Sequence, residues 1–438
     1  MAESFFENNR DKIKDILRVD DKAVEMLAFE ACRLKSQTRI GKHPFLYHGL
    51  LSIITSVLYP FKGLRQRVVL GNDDFVLVSC PDPVFRTESI SLIAGELKYS
   101  IIYLPNFHVS SAIKYHQHFK KKGIKAFFPT IKPGQVLVAW RKMSQLNKQI
   151  EWSDIENTKK TIVQGVLSSF SIYDLVVKEY MNGTNSFEGK WLLEHDKFYF
   201  MAPVINLHQL DKQCTMLQHG IFFRPSFNFI PLFCDSVLCC SNREKFIYIE
   251  NGVSEERIKV FGAPLQTLRQ VNNGHQTEKH YDLLVMTTDI KEINVDLIRE
   301  VLLYIKQNYN SVLVRMRPRS RKVDEAYLAN ELDGMTVSAP GIPIEEDISC
   351  CDKVVSFSED ANVEIAKMNK PFVVVWTEGE RDPKSMGKCA TRDNYKEEIN
   401  KLMTQDFYST FSKEQYKEVL GETDITVLKQ RFKEYIQS

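Results

Sequence analysis

The chain has 438 residues, more than one hydrophobic core ordinarily supports, so two domains are expected. Hydrophobic residues at 43% and charged residues at 26% are globular values and argue against disordered or fibrous classes. With 58 basic against 56 acidic side chains, the formal charge of +2 gives no sign of a general polyanion binder, and no nucleic-acid partner is expected.

The first residues, MAESFFENNRDKIKDILRVDD, are charged almost from the outset and carry no apolar core or cleavage site. They read as an unprocessed start, and the expected location is cytoplasmic. Residues 4–61 follow a helical pattern with a polar turn at 36–43. The apolar stretch 45–61 contains His48 and Pro60 and falls short of the ~20 apolar residues of a bilayer span. It reads as a buried helix or one lying on a membrane surface, a peripheral contact that the basic loop 120–125 would also suit.

From residue 75 the pattern changes to short β-branched runs alternating with helical segments. FVLVSC (75–80) is a strand stopped by Pro81-Asp82-Pro83, and 89–97 is a helix. The units repeat at 100–104 into 108–122, then at 126–128 and 136–140. A long helix over 155–180 follows, then strands at 197–201 and 215–218 with a helix near 204–212 between them. Strand 235–240, helix 242–251 and strand 258–261, closed by Gly262, complete the first half.

Residues 269–280 (RQVNNGHQTEKH) are almost wholly polar and form the linker. A second alternating series then runs from 283 to 376, followed by a charged helical tail. The expected organisation is an α/β chain of two Rossmann-like domains, with helices before the first and after the second. The N-terminal domain spans 1–268 and the C-terminal domain 281–415, with a last helix over 416–438 packing back on the first domain.

Open parallel sheets bind ligands beyond the carboxyl ends of their strands, which directs attention to the residues there. His219, in Gln218-His219-Gly220, ends a strand and has the side chain of a general base near neutral pH; the plainer reading is a histidine that bonds its own loop. Arg315, Arg317 and Arg319 would share a face if the strand stayed extended, and guanidinium pairs grip phosphate well; a solvated basic loop is the alternative. Strand 354–357 turns through Ser356 and Ser358 into a helix whose start would suit a phosphate, while Glu364 would accept ribose hydroxyls. Plain helix capping by Ser358 is the competing account. Asp82, Arg86 and His108 follow the first two strands and would face the cleft between the domains. His195, Asp196 and Tyr199 rank below them, with His195-Asp196 expected in an exposed turn before a strand. No GxGxxG, GxxxxGK[ST] or DxD occurs. The nine cysteines show neither CxxC nor paired Cys/His spacing, so reduced thiols and no metal are expected.

Four segments in order carry a resemblance: TMLQHGI (215–221), CDSVLCCSNREKFIYIENGVSEERIKVFGAP (234–264), VRMRPRS (314–320) and DKVVSFSEDANVEIAKMNKPFVVV (352–375). Together they resemble the bacterial GT-B enzymes of surface-polysaccharide assembly: capsule and lipopolysaccharide transferases, polysialyltransferase-like enzymes and CDP-glycerol glycerophosphotransferases. The resemblance implies the GT-B fold and a glycosyltransferase moving a sugar from a nucleotide-activated donor to a glycan or lipid-linked acceptor. It implies no cofactor beyond the donor itself. His219 would be the catalytic or cleft histidine, the Arg317–Arg319 loop would bind donor phosphate, and Ser356, Ser358 and Glu364 would line the nucleotide site; Asp82 is a second catalytic candidate, Arg315 and Gly262 are further donor-binding candidates, and Arg86 and His108 are acceptor-side candidates. Many relatives have His-Pro where this chain has Arg317-Pro318, so that histidine's role at the leaving nucleotide passes to arginine or is lost. A nucleotide-sugar 2-epimerase and a non-catalytic nucleotide- or glycan-binding subunit of a capsule assembly complex are the alternatives.

Overall fold

The computed structural model describes residues 2–34, 64–65, 67–80, 84–104, 109–153, 155–184, 186–218, 230–263, 280–287, 295–317, 325–357, 364–366, 368–375, 388–405 and 421–438, together with positions 45, 50, 52–55, 362 and 418. Three helices open the chain: α1 (Ala2–Asn8), α2 (Arg10–Leu17) and α3 (Asp21–Arg33). The Asp20 carboxylate accepts from the Ala23 amide at 2.8 Å and so starts α3.

The first sheet is built from β1 (Phe75–Ser79), α4 (Val84–Ala94), β2 (Tyr99–Tyr103), α5 (Val109–Lys121), β3 (Lys125–Phe127), α6 (Pro133–Gln149), α7 (Asn157–Met181), β4 (Lys190–Leu193), α8 (Met201–Gln209), β5 (Cys214–Leu217), β6 (Ser236–Cys239), α9 (Asn242–Glu250) and β7 (Ile258–Val260). Its strand order is β3-β2-β1-β4-β5-β6-β7, every described pairing being parallel. Strands buried on both faces read as unbroken apolar runs, which is why FVLVS and YSIIY show no alternation in the sequence.

Alternate residues nevertheless point to different layers. Val76, Val78, Ile102 and Met216 enter a core made with α1–α3 and α6–α8, whereas Phe75, Leu77, Ile101 and Leu217 pack on the opposite face.

The second sheet comprises β8 (Tyr281–Met286), α10 (Val295–Asn308), β9 (Val312–Arg315), β10 (Thr336–Val337), α11 (Ile344–Ser349), β11 (Cys351–Ser356), β12 (Phe372–Val375), β13 (Lys388–Ala390) and α12 (Tyr395–Thr404). Its order is β10-β9-β8-β11-β12-β13, again parallel. Its two faces carry their own cores, one with α10 and α12, the other with Ile348, Ile365 and Phe372. The two-sheet α/β architecture expected from the alternation is present.

The last helix, α13 (Ile425–Gln437), returns to the first sheet. Leu428 and Phe432 are fully buried there against α4 and the strand face bearing Phe75, worth about 1.5–3 kcal/mol per side chain. Arg431 donates to the Phe261 carbonyl at 3.0 Å, and the Ala263 amide donates to Glu422 at 2.8 Å. Gly262 lies under this segment at φ +126°. A Cβ there would stand 2.5 Å from Leu428 and 2.6 Å from the Glu422 carbonyl. Expected among the donor-binding residues, Gly262 is thus held by a structural demand, the close approach of the chain's end.

Two expected strands are corrected. Residues 136–140 lie within α6, where Val136, Ala139, Met143 and Leu146 are buried at helical spacing and Leu137, Val138 and Trp140 are exposed. Residues 197–201 form a 3-10 turn leading into α8, and the strand is the preceding KWLL of β4. Among the described residues, no helix is long and apolar enough to cross a membrane.

Candidate functional site

In each sheet the strand order reverses beside its first strand, between β1 and β4 in the N-terminal half and between β8 and β11 in the C-terminal half. At such a point the connections leave to opposite sides, opening a crevice at the carboxyl edge where ligands bind.

At the N-terminal reversal the Cys80 amide, just past β1, donates to Glu194 Oε2 at 3.3 Å, just past β4. Glu194 is only 2% exposed. His195 comes next, and its Nδ1 accepts from the backbone amides of Asp196 at 2.9 Å and Lys197 at 3.1 Å. That pair of bonds fixes the ring as an acceptor at Nδ1, so in the neutral form the proton sits on Nε2. Asp196 and Lys197 are fully buried and joined by an ion pair at 2.7 Å, while Asp196 Oδ2 accepts from the Phe233 amide at 2.6 Å. The Lys197 ammonium also lies 4.3 Å over the Phe233 ring. Burial works against charge on the Asp196 carboxyl, yet the neighbouring Lys197 ammonium holds it below the usual carboxylate range.

His195 therefore sits at the mouth of a crevice rather than in an exposed turn before a strand. The sequence held a signal for it, since Trp191-Leu192-Leu193 immediately precedes Glu194-His195, but the run is short and reads equally as a helix fragment.

Further along the same edge, Gln218 ends β5 and is buried. Its side chain donates to Glu244 Oε1 at 2.7 Å and accepts from the Tyr248 hydroxyl at 3.3 Å. Glu244 Oε2 accepts from the Cys240 amide at 2.7 Å and the Ser241 amide at 3.3 Å, while Ser241 Oγ caps α9. Burial, with the Glu244 charge, pushes the Tyr248 hydroxyl well up, so it stays a donor. The strand end that leads to His219 is thus rigidly braced. His219 itself, Asp82 and His108 lie outside the described residues, as does the side chain of Arg86.

In the C-terminal half, Ser356 is the last residue of β11 and fully buried, and the Phe357 amide donates to the Met286 carbonyl at 2.9 Å across the reversal. Thr287, on the β8 side, donates its amide to the Arg315 carbonyl at 2.9 Å. Glu364, 2% exposed, follows in the helical residues 364–366. Ser356 and Glu364 thus stand in the chain segment that leaves the crevice.

Arg315, expected to grip phosphate, instead engages the Asp347 carboxylate, with 3.0 and 3.3 Å bonds to the carbonyls of Ile342 and Pro343. Ser338 Oγ completes the cluster at 2.7 Å from Asp347. The reason is local: β9 ends at Arg315, so the face-sharing argument from extended geometry stops there. Arg317 is half-buried just beyond β9, and Arg319 and Ser358 lie outside the described residues.

A cavity of about 880 Å³ opens at the other end of the first sheet, lined by Asn72, Asp73, Ser91, Lys98, Tyr99 and Lys125. It faces the amino edge of β1–β3, where parallel sheets do not ordinarily place their chemistry.

The chain is similar over most of its length to solved structures of one architecture. A candidate UDP-N-acetylglucosamine 2-epimerase from Listeria monocytogenes matches with a TM-score of 0.54 at 11% identity, covering 84% of this chain and 96% of that one. A UDP-GlcNAc 2-epimerase from Methanocaldococcus jannaschii, solved with UDP-GlcNAc and UDP, matches at 0.51 and 12%, covering 82% and 99%. S. aureus MnaA, solved with UDP, matches at 0.50 and 11%, covering 83% and 95%. The chain has the GT-B fold. No protein-family model and no curated protein sequence matches it. The GT-B fold expected from the motif series is therefore present, on the pattern seen in nucleotide-sugar enzymes.

Proposed function

We propose that the protein is a metal-independent glycosyltransferase that binds a nucleotide-activated sugar at the β8/β11 reversal and an acceptor hydroxyl at the β1/β4 reversal. The observation that carries this reading is the pair of strand-order reversals, each with polar side chains at the strand ends: Glu194 and His195 in one half, Thr287 and Ser356 in the other. Nucleotide phosphate would meet the backbone amides after Ser356 and the cation of Arg317, which offset charge on the departing group. The acceptor oxygen attacks the anomeric carbon, the bond from that carbon to the phosphate oxygen breaks, and the hydroxyl proton passes to His219 or His195. The nucleotide leaves with the bonding electrons. In this account Gln218 and its braces are positioning residues for the His219 loop. The motif series supports a glycan or lipid-linked acceptor of surface-polysaccharide assembly.

A second reading, 2-epimerisation of a nucleotide sugar, is favoured by one observation: similar structures from Listeria monocytogenes and Methanocaldococcus jannaschii are described as UDP-N-acetylglucosamine 2-epimerases. One experiment separates the two. Purified protein is incubated with UDP-, CMP-, GDP- and CDP-linked sugars, with and without oligosaccharide acceptors, and products are resolved by mass spectrometry and NMR. Transfer predicts nucleotide release that depends on acceptor and is abolished in His219→Ala or His195→Ala. Conversion of the donor alone to its 2-epimer would replace the transferase reading, and binding without either reaction would leave a nucleotide-binding subunit.

A further inference from the structure

At the amino edge of the first sheet, away from both reversals, three side chains of different elements converge. His208 ends α8, Cys214 begins β5 and Asp235 immediately precedes β6. His208 Nε2 lies 3.3 Å from Asp235 Oδ2 and 4.0 Å from Cys214 Sγ, and the three atoms all fall within 4.8 Å of one another. Tetrahedral zinc, with bonds of about 2.0–2.3 Å, holds its ligand atoms roughly 3.3–3.7 Å apart. One edge of this triangle already has that length and a second needs closing by a few tenths of an ångström. Thiolate, imidazole and carboxylate are together the donor set of a borderline-soft divalent cation rather than of magnesium or calcium.

The frame is preorganised by backbone. Asp235 Oδ2 accepts from the Cys214 amide at 2.8 Å, and the Asp235 amide donates back to the Cys214 carbonyl at 2.9 Å. Arg257 pins the approach to β6 through the carbonyls of Cys234 at 2.6 Å and Asp235 at 2.9 Å. Such outer contacts fix ligand orientation in metal sites. Cys214 is buried and His208 nearly so, while the Asp235 side chain is 36% exposed and leaves a path from solvent.

We propose that His208, Cys214 and Asp235 form a binding site for a zinc-class divalent cation that ties the α8–β5 turn to the start of β6. The role is structural and does not depend on the transferase reading. Coordination takes the thiol as thiolate and the imidazole as the neutral ring, so binding releases protons.

The test is metal analysis of the full chain, purified without chelator and challenged with zinc. Wild type is expected to hold about one equivalent, with a drop of tenfold or more in Cys214→Ser and His208→Ala and no change in Cys32→Ser, which alters an exposed thiol. Cobalt titration of the wild type gives a second readout that needs no variant to fold: a thiolate-to-cobalt charge-transfer band that zinc abolishes. Absence of that band, retention of metal by Cys214→Ser, or a Cys214–Cys234 disulfide in protein alkylated without reduction would each overturn the proposal.

Discussion

The two halves brace their strand ends in different ways. Along the carboxyl edge of the N-terminal sheet, buried charges and amides are cross-linked over long sequence distances, Cys80 to Glu194, Asp196 to Phe233, and Gln218 to Glu244 and Tyr248, with the adjacent Asp196–Lys197 ion pair among them. The described C-terminal strand ends rely chiefly on sheet bonds and on one cluster, Arg315 with Asp347 and Ser338, turned toward the loop after β10. A buried carboxylate that accepts several amide bonds holds a loop in one geometry. Under the proposed function, the first half would place the reacting groups rigidly and the second would take up the nucleotide.

The largest effect that sharpens this contrast is expected for Asp196→Ala. It strands the Lys197 ammonium, 0% exposed, and should cost about 3–5 kcal/mol by denaturant unfolding. A cost below about 1 kcal/mol would break the claim that the first half is the rigid one. Arg315→Ala should cost less, about 2 kcal/mol, because its side chain is 14% exposed and Ser338 still serves Asp347. Nucleotide affinity should be unchanged in that variant, and a loss of binding would return Arg315 to the donor site. The smallest effect is expected for Tyr248→Phe, about 1 kcal/mol or less for one hydrogen bond to Gln218, with a larger fractional loss of turnover than of stability. Equal insensitivity of both would mean that the Gln218 brace does not position the His219 loop.

Much of the fold was legible because buried parallel strands announce themselves: FVLVS, SIIY, SVLC and VVS are apolar runs of the right length, stopped by proline, glycine or a capping serine. The misread segments show where that signal fails. VLVAW in α6 looks like a strand until Ala139, Met143 and Leu146 are counted at helical spacing, with Pro133 at the start. KWLL was passed over for FYFM because four residues fit either period. Candidate positions at strand ends could be read from the sequence, and Ser356 closes β11, but side-chain direction was not legible. Arg315 finds Asp347, 32 residues away, and Gly262 serves a helix that begins 163 residues later. The His208, Cys214 and Asp235 cluster was invisible for the same reason, since its spacing fits no local motif and only sheet order joins the three.

The central claim is that nucleotide docks on the second half at the β8/β11 reversal. Amide hydrogen exchange of the full chain, with and without saturating UDP-GlcNAc and CMP-, GDP- and CDP-linked sugars, tests it directly, because binding at 100 times the Kd protects a site by about 2.7 kcal/mol. The account predicts slowed exchange over residues 357–366 and around Arg317 with at least one donor. Protection confined to the amino edge of the first sheet, or none with any donor, would contradict it.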